Sequence, residues 1–319
     1  MNFPAADTAA RIGLEEFAAR LGEISRVHLD FNNVFCTTEV DGSNASRVSV
    51  HVVRADGNGR PQIRLLVRSL CNAVIDYCIP RTRIQRAHQH YVATGTTTRI
   101  AALQTEARRT FTDLALSGEG GELLLFALVE GLLKYPQVLS KMSLKTSARM
   151  HVHGMDGLYV SCRGAPPRLR LHFGESKLHR DMRTSINEGV ASVREMLHDE
   201  GHIGSSRRDF YLLEAHGDLG DVALEEALTA FLDPADARFM APEVCAVLLT
   251  GYELDEYPIV MLGEPFPETL LEEATTALDV LGAAALLRQV DSFKIDVLCI
   301  PFPSVQEFRD AIALELGLR

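Results

Sequence analysis

Apolar residues first recur at helical spacing, with Leu14, Phe17, Ala18 and Leu21 on one face of a segment spanning residues 8–21. The pattern then turns to alternation in Val27-His28-Leu29-Asp30-Phe31 and in Val48-Ser49-Val50-His51-Val52. Alternation predicts strands, because successive strand side chains point to opposite faces. Asp56-Gly57-Asn58-Gly59 marks a turn. Helical spacing returns with Ile63, Leu66, Val67, Leu70, Val74 and Tyr77. Two more helices are expected after it, separated at Thr94-Gly95-Thr96, with Thr96 as a candidate N-cap.

Glycines at 118, 120 and 121 break the pattern, and Glu122 opens a strongly apolar helix through Val129. Three strands are predicted next, over residues 139–148, 150–162 and 169–175. Gly164-Ala165-Pro166-Pro167 is a turn that pairs the second and third as a hairpin. A polar helix follows over 181–198. Continuous apolar runs at 244–250 and 295–300 read as buried strands, with helical segments near 222–232, 268–289 and 304–316. This order predicts an α+β layered fold, a mixed β-sheet flanked by helices. Residues 1–113 are expected to form a mixed α/β region packed on a core spanning 114–319.

Composition narrows the classes. With 319 residues, 46% of them hydrophobic, the chain can bury a large core without disulfides. No run reaches the ~18 apolar residues of a membrane helix. The first residues lack a basic region followed by an apolar stretch, so a cytoplasmic protein with no membrane partner is expected. The six cysteines form no CxxC pair, which disfavours zinc ribbons and thiol redox chemistry. The formal net charge of −11 is unevenly spread. Residues 1–133 are neutral, 134–183 carry +7 and 184–319 carry −18. A polyanion would be drawn to the middle segment.

The chemistry lies in or beside that basic segment. In Phe173-Gly174-Glu175-Ser176-Lys177, the i, i+2 spacing on a strand puts Glu175 and Lys177 on one face. Gly154-Met155-Asp156-Gly157 supplies a second carboxylate on the neighbouring strand, and its glycines leave room for a phosphate. Glu122 is a third carboxylate, ahead of Glu119, which competes for the same role. Mg²⁺, or Mn²⁺ in its place, takes such hard oxygen ligands, and a bound ion activates water against a phosphodiester. Lys145, Arg180 and Arg183 are candidate nucleic-acid contacts. His151, His153, Ser185 and Asn187 are weaker site candidates. No GxxxxGK[ST] loop, GxSxG elbow or paired-histidine zinc motif is present.

Helix–strand–strand–strand carrying Glu122, Asp156 and Glu175-x-Lys177 resembles the PD-(D/E)xK nuclease superfamily. Gly121-Glu122-Leu123-Leu124, the KMSLKTS stretch at 141–147, Gly154-Met155-Asp156-Gly157 and Phe173-Gly174-Glu175-Ser176-Lys177 more closely resemble the HamA family, the nuclease subunits of Hachiman antiphage defence. Met155 stands where the superfamily pattern has proline. The resemblance implies DNA cleavage and a superfamily 2 helicase partner. It implies Asp156 and Glu175 as Mg²⁺ ligands, Glu122 supporting them, and Lys177 handling the water or the transition-state charge. The acidic part after Thr184 is either a helicase-docking surface, with Glu225/Glu226 and Glu272/Glu273 as its clusters, or a solvated surface kept for solubility. The alternative reading is a catalytically inactive nuclease-like subunit that binds DNA or regulates the helicase. A third is a metal enzyme acting on a small phosphate ester.

Overall fold

The computed structural model describes residues 12–27, 29–43, 46–111, 118–140, 142, 155–198, 213 and 216–318. Its centre is one seven-stranded mixed sheet. The strands are β1 (Phe35–Asp41), β2 (Arg47–Val53), β3 (Gln137–Ser140), β4 (Gly157–Arg163), β5 (Arg168–Leu178), β6 (Glu243–Glu253) and β7 (Lys294–Phe302), in the order β1-β2-β7-β6-β5-β4-β3. Four neighbours, β2, β7, β6 and β5, run parallel, and an antiparallel strand or pair closes each side. Parallel strands covered on both faces carry continuous apolar runs, which is why β6 and β7 read as unbroken hydrophobic segments.

Helices cover both faces, making three layers. One face holds α1 (Leu14–Leu21), α8 (Met182–Leu197), α9 (Val222–Leu232) and α10 (Leu271–Leu287) over Leu158, Phe173, Leu248 and Val297. The other holds α3 (Ile63–Asn72), α4 (Val74–Cys78), α6 (Thr98–Arg109), α7 (Glu119–Leu128) and α11 (Val305–Leu316) over Tyr159, Val247, Leu249 and Ile300. Two more helices, α2 (Phe31–Val34) and α5 (Arg81–Thr94), lie at the margins of this second layer. Every residue of α7 is buried. Each leucine-sized side chain so buried contributes about 1.5–3 kcal/mol, so α7 is the internal post of the layer.

Several local expectations give way to packing. Residues 29–31 are not a strand: Asp30 accepts a hydrogen bond from the Asn33 amide and caps the single turn α2. The alternation there reflects only that Val27 is buried. Helix α7 begins at Glu119 rather than Glu122, with Gly120 and Gly121 inside it. A Cβ on Gly121 would sit 2.5 Å from Leu178 Cδ1, so the glycine permits close helix–sheet approach. At the other helix break Thr97 takes the N-cap position, and Thr96 Oγ1 instead accepts from the Thr98 amide. Of the three strands predicted between residues 139 and 175, the described parts are β3, β4 and β5; residues 143–154, with Lys145, His151 and His153, lie outside the described residues. No described helix is long and apolar enough to cross a membrane.

A buried ion cluster ties the post to its surroundings. Glu130, 0% exposed, sits in a π-helical turn (Val129–Leu133) that extends α7. Its carboxylate accepts from Arg81 at 2.7 Å, from the Arg26 amide at 3.0 Å and guanidinium at 3.4 Å, and from the Gln137 amide at 2.8 Å. One side chain thus joins α5, the loop before α2, and β3.

Two buried histidines make stability sensitive to pH. His51 bonds Thr37 and Ser49 at 2.9 Å each, and burial lowers its pKa to about 4. His172 bonds Ser161 at 2.8 Å and stacks on Tyr135; burial, then the nearby Lys294 charge, lowers it to about 3. The unfolded chain takes up these protons near pH 6.5, whereas the folded chain does not until about 4 and about 3. Their stabilising contribution is therefore complete above pH 6.5 and lost as the pH falls. Each removes about 1.4 kcal/mol per pH unit below that point. The raised carboxyls of Glu175, Asp296 and Glu225 act in the opposite sense, so a variant comparison is needed. Urea unfolding of wild type and His172→Asn at pH 7 and pH 5.5 is expected to show a shallower loss in the variant. Equal losses would assign the pH dependence to other groups.

Candidate active site

The site lies where β5 ends and β4 begins, at the carboxyl ends of the parallel strands, where ligands of open α/β sheets bind. Strands β4 and β5 pair antiparallel with Gly157 opposite Gly174. Continued one step, that register sets Asp156 opposite Glu175, and the Asp156 amide donates to Gly174 O at 3.0 Å. Residues opposed in this way share a face. Lys177 follows two residues on, and its Nζ donates to Glu175 Oε1 at 2.6 Å. Asp156, Glu175 and Lys177 are therefore one constellation.

Around it are residues with no motif to announce them. Ser176 points to the opposite face, yet both its amide (2.9 Å) and its hydroxyl (2.8 Å) donate to Asp156 Oδ2. The Ser192 hydroxyl, on α8, faces Glu175 and favours its charged form. Glu175 is buried, and burial first, then the Asp156 charge, raises its carboxyl above the usual range. The Lys177 amine and Ser192 only partly offset this. Two acids are thus pressed together at a strand end.

Glu122 stands apart from this face. Its helix α7 packs on the Gly174, Ser176 and Leu178 side of β5, as the contacts at Gly121 and Gly174 show. The Tyr77 hydroxyl donates to Glu122 Oε2 at 3.1 Å. Burial and then the Glu122 and Asp156 charges hold the Tyr77 phenol well above its ordinary pKa. Asp156 is accordingly the link, acting on Tyr77 beside Glu122 and on Glu175 beside Lys177. Glu119, the competitor of Glu122, is buried too. Among the described residues no three His, Cys, Asp or Glu side chains form a metal-holding group.

The other candidates divide. Arg180 is 87% exposed and pairs with Glu253 at 3.1 Å; Arg183 is exposed at the start of α8. Ser185 donates to Gly251 O (2.9 Å) and Lys177 O (3.2 Å), fastening α8 to β5 and β6. Asn187 bonds Arg183 O within its own helix. The room beside Gly157 is filled from within: a Cβ there would meet Gln137 Nε2 at 2.5 Å and Tyr159 Oη at 3.0 Å. This glycine serves internal packing, not approach by a phosphate. Glu225, read as a surface acid, turns inward and accepts from the Leu219 and Gly220 amides at 2.8 and 3.0 Å.

The sequence model of the HamA family matches residues 29–315 of the 319. The chain belongs to the HamA family. No curated protein matches it. As a HamA family member it is a subunit of Hachiman antiphage defence. The HamA match extends well beyond the blocks at 121–177, taking in β1, β2 and α3–α6 as well as the acidic part through α11.

Proposed function

We propose that this HamA family protein is a Mg²⁺- or Mn²⁺-dependent DNA nuclease, the effector of its defence complex, partnered by a superfamily 2 helicase. The observation that carries the reading is the apposition of Asp156 and Glu175 with the Lys177 amine beside them. Carboxyls facing each other in a buried place are costly to charge: burial first, and then the Asp156 charge, raises the Glu175 carboxyl above its ordinary range. A divalent cation offsets that cost. The donor set suits Mg²⁺, which is commonly held by one or two carboxylates together with water and substrate phosphate.

Asp156 and Glu175 would hold the ion. When bound, it polarises a phosphodiester oxygen and makes water a stronger nucleophile. Ser176 orients the Asp156 carboxylate through two donors, and Lys177 orients Glu175. Lys177, half-buried at the rim, would position the attacking water or meet negative charge developing on the phosphate. Glu122, held by Tyr77, would support Asp156 from α7. Lys145 and Arg183 are proposed phosphate contacts, and Arg180 would join them by leaving Glu253.

Calorimetric titration with Mn²⁺ alone tests the metal assignment without relying on turnover. Wild type is expected to bind, and Asp156→Asn to bind at least about tenfold more weakly, because a ligand charge is lost. Equal affinity in the two proteins would remove Asp156 from the site.

A further inference from the structure

Helices α5 and α6 form a hairpin turned by Gly95 at φ 72°. Its base is fastened by Arg81 on Glu130 and by the two-pronged Arg83–Glu106 pair at 2.6 and 2.7 Å. Ala87, Leu103 and Ala107 are buried there. Its far end is open, with Tyr91 42% and Val92 70% exposed. The charge along it is one-sided. Residues 60–109 hold nine arginines, no lysine and two acids, Asp76 and Glu106, and residues 77–105 hold no acid at all. This runs against a chain whose net charge is −11. The neutral total of residues 1–133 hides it.

Helix geometry sets these charges on a common side. From Arg83, Arg86 and His90 lie three and seven residues on, along one stripe of α5. From Glu106, Arg99 lies seven residues back, along one stripe of α6. Since Arg83 and Glu106 meet, both stripes border the same seam. Arg86 and Arg99 are exposed and, among the described residues, make no ion pair or hydrogen bond. An ordinary solvated face mixes both signs. The acids that reach α5 from outside the hairpin, Glu130 at Arg81 and Asp218 at Thr82, meet only the start of the helix. Exposed guanidinia left unpaired suit phosphate oxygens, which they grip with two parallel donors. The hairpin belongs to the helix layer on the Glu122 side of β5, because α6 packs on α4, whose Tyr77 holds Glu122.

We infer that the α5–α6 hairpin is a DNA-backbone clamp on the Glu122 side of the strand end where Asp156 and Glu175 meet, with Arg86 and Arg99 as its phosphate contacts. The choice of DNA as ligand rests on the nuclease reading. The probe is a 20-base-pair DNA duplex, followed by fluorescence anisotropy in EDTA at increasing salt. Arg86→Ala/Arg99→Ala is compared with wild type and with Arg168→Ala, an exposed arginine at the far end of the sheet. The double variant is expected to keep its melting temperature, bind at least about tenfold more weakly and lower the salt slope by about 2, since each phosphate contact contributes about 0.9. Arg168→Ala should behave as wild type. Unchanged affinity and slope in the double variant overturn the inference, including the case where it instead loses a protein partner. Cleavage is scored separately. A wild type that never cuts, yet binds through the hairpin, sinks the nuclease reading alone; a wild type that cuts, with binding unaffected in the variant, sinks the clamp alone.

Discussion

Glu175→Ala and Lys177→Ala are each expected to reduce cleavage of supercoiled and linear DNA by roughly 10²–10⁴-fold, the range for losing a positioned acid–base group. EDTA should bring wild type to the same floor. Fold and stability separate the two substitutions from simple damage. Glu175 is a buried carboxyl whose charge is penalised by burial and by Asp156, so its removal in metal-free protein should leave the melting temperature unchanged or higher. A side chain that costs stability where it sits is accounted for by function. Lys177 is 26% exposed at its side chain, so water can solvate its amine once Glu175 is gone. Equal cleavage by wild type and Glu175→Ala would refute the site. A large fall in melting temperature for Glu175→Ala would make that residue structural instead.

The largest effect on stability is expected at Glu130. In Glu130→Gln the shape is nearly kept, but the charge that compensates Arg81 and Arg26 is lost. Burial already lowers the Arg81 pKa to about 10, and the neighbouring Arg26 charge adds to that. Removing one partner of a buried pair costs about 3–5 kcal/mol, because the remaining charge is left in a poor solvent. Urea unfolding of the variant should show that loss. Replacing both members of the closest pair, as in Glu130→Met/Arg81→Met, should recover only the Arg81 share, since Arg26 and the Gln137 amide still lose their acceptor. If Glu130→Gln lost less than about 1 kcal/mol, the cluster would be water-accessible and not the tie described above. The same experiment bears on the hairpin, whose base Arg81 fastens.

Some of the site was legible because strand geometry leaves little choice. Glu175 and Lys177 share a face by their spacing alone. The Gly164–Pro167 turn implies a hairpin, and the hairpin brings Asp156 beside Glu175. Ser176 was in plain view between them, but its role depends on its amide and hydroxyl reaching around the strand end to Asp156. Nothing in its identity announces that. The arginines of residues 60–109 are balanced by acids elsewhere in residues 1–133, so a net total does not show them.

Local periodicity determined the elements, because burial of one face imposes period two on strands and about 3.6 on helices. By that reasoning the sequence itself specified the mixed sheet with flanking helices, the β4–β5 hairpin, the buried runs of β6 and β7, and the Asp156, Glu175 and Lys177 set. Only the tertiary structure decided what joins residues far apart in the chain. Tyr77 reaches Glu122 across 45 positions and Arg81 reaches Glu130 across 49. It also put Glu122 on the helix side opposite Glu175, started α7 at Glu119 and made Phe31 the start of a capped helical turn instead of a strand residue. The physical reason is the same throughout: buried polar groups must find partners, and closely packed backbones admit only what fits between them. Both conditions are set by neighbours in space, which period and spacing along the chain do not record.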